Sequence, residues 1–216
     1  MNKIKKSLAL KMATMASLPL PVTLVTSIGK DNEPNIITIT YVTGVNEEPP
    51  MFGIAIRPEK HSNFLIRKSK EFVINIPTLK LIKEIDFCGT HSGRNVQKFE
   101  KLGLKPIKAK KLKTPLIGEC SINIECRLKQ IVKLPSHDFF IGEVTAFSVD
   151  KKIVVAKKNK YGVFLPKFDK LNFLFTTFLD YRVIGEKKGM VFQEHQKLNC
   201  KCKNKNCPKR KEGKCL

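Results

Sequence analysis

Between the apolar runs MFGIAI and EFVINI, the segment RPEKHSNFLIRKSK gathers Arg57, Lys60, His61, Ser62 and Asn63 into one corner. A corner needs only turn formers, and this one adds positive charge and hydroxyl donors that turn geometry does not require. Read from the residues alone, Ser62 either does chemistry or merely caps the short helix that it opens, with Lys60 in solvent. A second group stands at the other end of the chain. Cys200, Cys202, Cys207 and Cys215 form C-x-C-x4-C-x7-C within 16 residues, a stretch too short to build its own core, so a metal is the expected organiser. Zinc is the first choice and an iron–sulfur cluster the second, with His195 as a possible substitute ligand and unliganded reactive thiols as the alternative. Eight basic residues around the four thiols would offset the charge of such a site.

The elements that position these residues are mostly strands. PVTLVTSI (21–28) and NIITITYV (35–42) are rich in β-branched residues and flank the turn formers GKDNEP, which predicts a hairpin. MFGIAI (51–56) and EFVINI (71–76) predict two more strands, with a short helix between them beginning near Ser62. Residues 78–104 have helical spacing broken at GTHSGRN, which predicts two short helices, the second closed by Gly103. In GECSINIECRLKQIV, Cys120, Ile122, Ile124, Cys126 and Leu128 alternate with Ser121, Asn123, Glu125, Arg127 and Lys129, so one face is expected buried and the other wet. DFFIGEVTAFSV (138–149) follows across the corner Pro135-Ser136-His137. Strands without regular helix alternation predict a mainly β, antiparallel barrel of Greek-key type with short helical insertions. LNFLFTTFL, further on, is apolar enough to pack on the barrel or on a second subunit. The expected division is one domain over 1–196 and a basic, cysteine-rich tail over 197–216.

A hydrophobic content of 42% with 28% charged residues is that of a globular chain. The net charge of +22 raises nucleic acid, anionic lipid or an anionic cofactor as partners. The charge is spread, Lys outnumbers Arg and no aromatic RNA-binding signature accompanies it, so nucleic acid is the minority reading. The N-terminus starts like a secretory signal, but Lys11 interrupts its apolar run, leaving neither signal nor membrane span and predicting a cytoplasmic protein.

The order of seven pieces carries a resemblance: PLPVTLVTS, NIITIT, PPMFGIAIRPEKHSNFLI, EFVINIP, SGRNVQKFEKLGL, PLIGECSINIECRL and HDFFIGEV. Over roughly residues 18–186 this resembles the flavin reductase-like, FMN-binding split-barrel family, in particular its flavoredoxin group. The resemblance implies a homodimer of split β-barrels holding FMN noncovalently at the subunit interface. Lys60, His61 and Ser62 would then seat the phosphate at a helix entrance, where the first N–H groups and the helix dipole favour an anion. It also implies that Asn35, Ile37, Thr38 and Thr40, helped by Thr26 and Ser27, meet the flavin ring. Ser92, Arg94 and Lys98 would lie near the flavin, with Arg94 or Lys98 completing the phosphate shell. His137 would stand beside the ring and position a nicotinamide. The implied activity moves electrons from NAD(P)H or a redox-protein donor to flavin, ferric iron or a partner, and a flavin electron carrier without substrate of its own is the alternative.

Overall fold

The computed structural model describes residues 13–14, 18–154, 171–177, 180–183 and 185. In chain order the strands are β1 Leu20–Pro21, β2 Thr23–Ile28, β3 Pro34–Ile39, β4 Val42–Asn46 and β5 Met51–Ile56; helix α1 His61–Ser69 and strand β6 Glu71–Ile76 follow. Then come α2 Ile82–Thr90, α3 Lys98–Leu102, β7 Pro106–Ile107, β8 Leu116–Ile117, β9 Ile122–Lys133, β10 Asp138–Val149, β11 Leu174–Thr177 and β12 Asp180–Val183. All of these belong to the unit Met1–Ile184, which precedes a second, Gly185–Leu216. The four tail cysteines lie outside the described residues.

One antiparallel sheet runs β3-β2-β6-β9-β10-β5-β4. Its two edge strands, β3 and β4, are joined by Thr40 and Tyr41 alone, so the sheet must curl until its edges meet. The fold is therefore the expected split β-barrel. Next to that connection the backbone N–H of Ala55 reaches the Tyr41 carbonyl at 3.0 Å, extending the β4–β5 ladder by one step. Inside, Val25, Ile39, Ile54, Phe72, Ile124 and Phe140 pack into one core. The ring of Phe72 sits against Gly142, where an added Cβ would lie 2.7 Å from it. Gly142 also borders a register shift of the β9–β10 pair, so the strands bend where a large side chain crosses them.

A second apolar cluster covers the outer side of β2 and β3, with Leu24 and Ile36 against Ile85 and Cys88 of α2 and Phe99 of α3. The strand β2 is thus buried along its whole length. Gly103 ends α3 in the left-handed region (φ 64), its N–H returning to the Glu100 carbonyl, as the spacing predicts. The apolar stretch after residue 171 contributes β11, which pairs with β1.

The expected wet face of β9 holds at Arg127 and Lys129, which are exposed, but not in the first half of the strand. Asn123 and Glu125 are buried, because the loop between α3 and β9 folds across that face. The Glu125 carboxylate accepts the backbone N–H groups of Lys110 (2.9 Å) and Lys111 (2.8 Å), and Asn123 donates to the Ile117 carbonyl (3.2 Å). Buried polar side chains are tolerated there because each is hydrogen-bonded. Cys120 and Cys126, expected on one buried strand face, are both buried but in different clusters, since Cys120 precedes the strand. Among the described residues no helix is long and apolar enough to cross a membrane.

Candidate functional site

Helix α1 begins two residues before the position that a Ser62 cap would set. Lys60, not Ser62, holds the N-cap position in extended conformation (φ −71, ψ 136), and no side chain caps the first turn. The Asn63 N–H returns to the Lys60 carbonyl at 3.0 Å, which leaves the N–H groups of His61 and Ser62 to face a ligand, and no acidic side chain competes in that turn. Freed from capping, the Ser62 hydroxyl accepts from Asn35 Nδ2 at 2.7 Å and keeps its own hydrogen to donate. A second network anchors the helix behind it. Asn63 donates to Asp138 (2.8 Å) and accepts from Arg67 Nε (2.9 Å), while Arg67 pairs with Asp138 at 2.7 Å.

A cavity of about 210 Å3 opens at this helix entrance. The loop after α2 forms its opposite wall, with Ser92, Gly93 and Arg94 facing Lys60, His61 and Ser62. Gly93 is required by the close approach: a Cβ there would fall 1.9 Å from Asn35 Oδ1. Arg94 is held by donating to the Glu59 carbonyl at 3.0 Å. Asn35 Oδ1 and His61 Nδ1 are buried and find no hydrogen-bond partner among the described residues. Burial, then Arg94 and Lys98, hold the His61 imidazole below its ordinary pKa, so at neutral pH the ring is uncharged. Cys88 also lines the cavity, and burial pushes its thiol up to about 11 despite Lys98 nearby. It is a thiol, not a nucleophilic thiolate.

Lys98 is 2% exposed and donates to the carbonyls of Ile36 (2.7 Å) and Cys88 (2.9 Å). Burial lowers its pKa. An ammonium has three donors, so one remains toward the cavity that Lys98 helps to line. Its main work is to tie α2 and α3 to β3.

A second cavity of about 300 Å3 lies along the barrel seam, lined by Thr38, Thr40, Tyr41, Ala55, Arg57 and His137. It shares Ile37, Lys60 and Gly89 with the first, so the two form one elongated slot. One end is cationic and the other mixes apolar and polar groups. As an edge strand, β3 turns half of its backbone N–H and C=O groups away from β2. The Thr38 hydroxyl is spent on the Ile85 carbonyl at 2.5 Å, which leaves backbone as the donor set from that residue. His137 shares a 2.9 Å hydrogen bond with Ser136 and meets the edge of Tyr41 at 5.5 Å between centroids. Burial, then Arg57, lower its pKa against an opposing effect of Glu59.

The structure thus brings Asn35, Ile37, Lys60, His61, Ser62, Ser92, Arg94 and Lys98 to the first cavity, and Thr38, Thr40 and His137 to the second. Thr26 and Ser27 line neither. The central strand β2 has both faces covered, so Thr26 donates to the Pro115 carbonyl at 2.7 Å and Ser27 is fully buried. Tyr41, Gly89 and Gly93 complete the slot without any sign in their sequence spacing. Only the barrel closure brings Tyr41 round, and only the β3–loop approach selects Gly93. Among the described residues no three His, Cys, Asp or Glu side chains cluster as a metal site.

A model of the flavin reductase like domain family matches residues 15–163. Among solved structures, the chain is similar to the flavoredoxin of Desulfovibrio vulgaris (Miyazaki F), with 27% identity, a TM-score of 0.77, and coverage of 89% of this chain and 100% of that one. It is also similar to the flavoredoxin from Methanosarcina acetivorans, with 27% identity, a TM-score of 0.80, and coverage of 92% and 100%. An uncharacterised protein of Archaeoglobus fulgidus is 38% identical over 112 residues, which span 52% of this chain and 63% of that protein, less than two thirds of its length.

Proposed function

This chain belongs to the flavin reductase like domain family, and we propose that it binds FMN noncovalently along the paired cavities as an oxidoreductase of flavin reductase or flavoredoxin type. The observation that carries this reading is the junction of the two cavities at Ile37, Lys60 and Gly89, which joins a cationic helix entrance to a mixed, strand-lined slot. The donor set fits the group. Open N–H groups of α1, the Ser62 hydroxyl and the Arg94 guanidinium suit a phosphate. The unmet acceptor Asn35 Oδ1 suits a hydroxyl of the sugar-alcohol chain, and edge-strand backbone with Thr40 and Tyr41 suits a flat ring that is polar along one side.

When bound, FMN supplies a ring that takes up hydride and releases electrons singly or in pairs. The chain's own part is to bind, orient and shield. The uncharged His137 imidazole, steadied by Ser136 and Tyr41, orients an electron donor at the ring end of the slot. NAD(P)H or a redox protein is the donor, and flavin, ferric iron or a partner protein the acceptor. Anaerobic mixing of the FMN-loaded chain with NADH or NADPH, followed at about 450 nm with and without a ferric chelate, tests this. Bleaching with steady turnover supports the reductase. A flavin reduced by neither nicotinamide but by a protein carrier supports the carrier, and a chain without flavin overturns both.

The assembly is proposed to be a homodimer, since Phe147 on β10 is 53% exposed and Leu134 at the β9–β10 turn 49%. The tail thiols Cys200, Cys202, Cys207 and Cys215 are proposed as ligands for zinc or, second, for an iron–sulfur cluster. Metal analysis of the full chain against a version ending at residue 196 tests that site.

A further inference from the structure

Outside the slot, the densest concentration of unused charge is a groove of about 690 Å3 lined by Lys30, Lys70, Lys108, Lys110, Lys111 and Lys113, with Arg127 beside them. We propose that this groove docks an acidic redox protein, an inference that rests on the flavin reading above.

The groove is basic because of how its backbone is held. Glu125 takes the N–H groups of Lys110 and Lys111, and Glu71 takes those of Lys113 (2.9 Å) and Thr114 (2.9 Å). Held by backbone N–H groups, these carboxylates form no ion pair with the lysine side chains, which are exposed along the loop. Glu71 is the one acid in the lining, and Asp31 and Glu33 on the neighbouring turn line no part of it. Among the described residues, none of the seven cations has an ion-pair partner. Seven like charges held together in this way repel one another and do not serve stability; they attract and steer an anionic partner.

The chemistry of the lining selects the partner. No aromatic side chain lines the groove, so it has no platform for stacked bases. Six of the cations are lysines, compact point charges without the fork that reads a phosphate in two places, which suits dispersed surface carboxylates. The groove takes in Ser69 and Lys70 at the C-terminal end of α1, and the slot takes in His61 and Ser62 at its entrance, about 12 Å away along the helix, so one rigid element links the groove to the phosphate end of the slot.

The test uses the full chain and an acidic iron–sulfur ferredoxin as probe, titrated calorimetrically at about 50 mM and about 300 mM salt. The variant K108Q/K110Q/K111Q/K113Q keeps the backbone N–H groups that Glu71 and Glu125 hold, and K30Q/K70Q/R127Q removes the opposite wall. Salt-sensitive binding to the native chain, weakened at least about tenfold in each variant with FMN affinity unchanged, is the expected result. Basic cytochrome c is the control of opposite sign and should not bind. Equal ferredoxin binding by native and variant chains, or none at all, overturns the proposal. So does loss of affinity for a DNA duplex in the variants with ferredoxin binding unaffected, which assigns the groove to nucleic acid. The titration needs no flavin, so its failure is distinguishable from a failure to bind FMN.

Discussion

Lys98 stabilises the site more through its two backbone carbonyls than through its charge. Replacing it by Met leaves the Ile36 and Cys88 carbonyls without their donor inside a closed region. The expected cost is about 2–3 kcal/mol, read as a lower urea midpoint with an unchanged slope. At the opposite wall, Arg94→Ala removes a cation that faces the helix entrance but is exposed, so stability should hold while FMN affinity falls about tenfold or more. The two slot histidines give a pH test. Both have folded pKa values below the ordinary 6.5, so the unfolded chain takes up a proton first as pH falls. The resulting stability is present above 6.5 and is lost progressively as pH drops below it toward the folded values. The variant H61Q/H137Q should flatten that part of a stability profile measured by denaturant titration.

The elements set which parts of the site can be read in advance. The corner at residues 57–63 is legible because its residue types exceed what a turn needs, and the order of strands and short helices follows from β-branched runs and breakers. The start of α1 at His61 is not, since a serine suited to capping loses that role when Asn35, distant in sequence, engages it at 2.7 Å. Thr26 and Ser27, named only through the resemblance, lie on β2, which is buried along its whole length, and line neither cavity. The β9 face carrying Asn123 and Glu125 reads as wet until the lysine-rich loop supplies the N–H groups that they hold. Glu125→Ala should therefore release that loop, speeding hydrogen exchange at Lys110 and Lys111 and costing about 3 kcal/mol. The helix anchor behaves likewise. Burial raises the Asp138 pKa, but hydrogen bonds from Arg67 and Asn63 and nearby positive charge outweigh it, and the carboxyl ends below 3.8. Its contribution is present above 3.8 and fades as pH falls through the lower folded value, so Asp138→Asn should remove part of the acid-unfolding transition.

For the whole molecule, closure of the barrel is what creates a site. Edge strands joined by two residues leave a seam, and the second cavity lies along it while the first turn of α1 closes the other end of the slot. No paired carboxylates or activated nucleophile are needed, because the bound group would bring the reactivity and the chain the orientation. On the flavin reading, affinity is concentrated at the helix entrance, which would hold the anionic head. Parallel fluorescence titrations of the full chain with FMN and with riboflavin measure this. FMN should bind at least about a hundredfold tighter than riboflavin, the worth of one or two charge-assisted hydrogen bonds. Equal affinities, or no binding of either flavin by the folded chain, would contradict it.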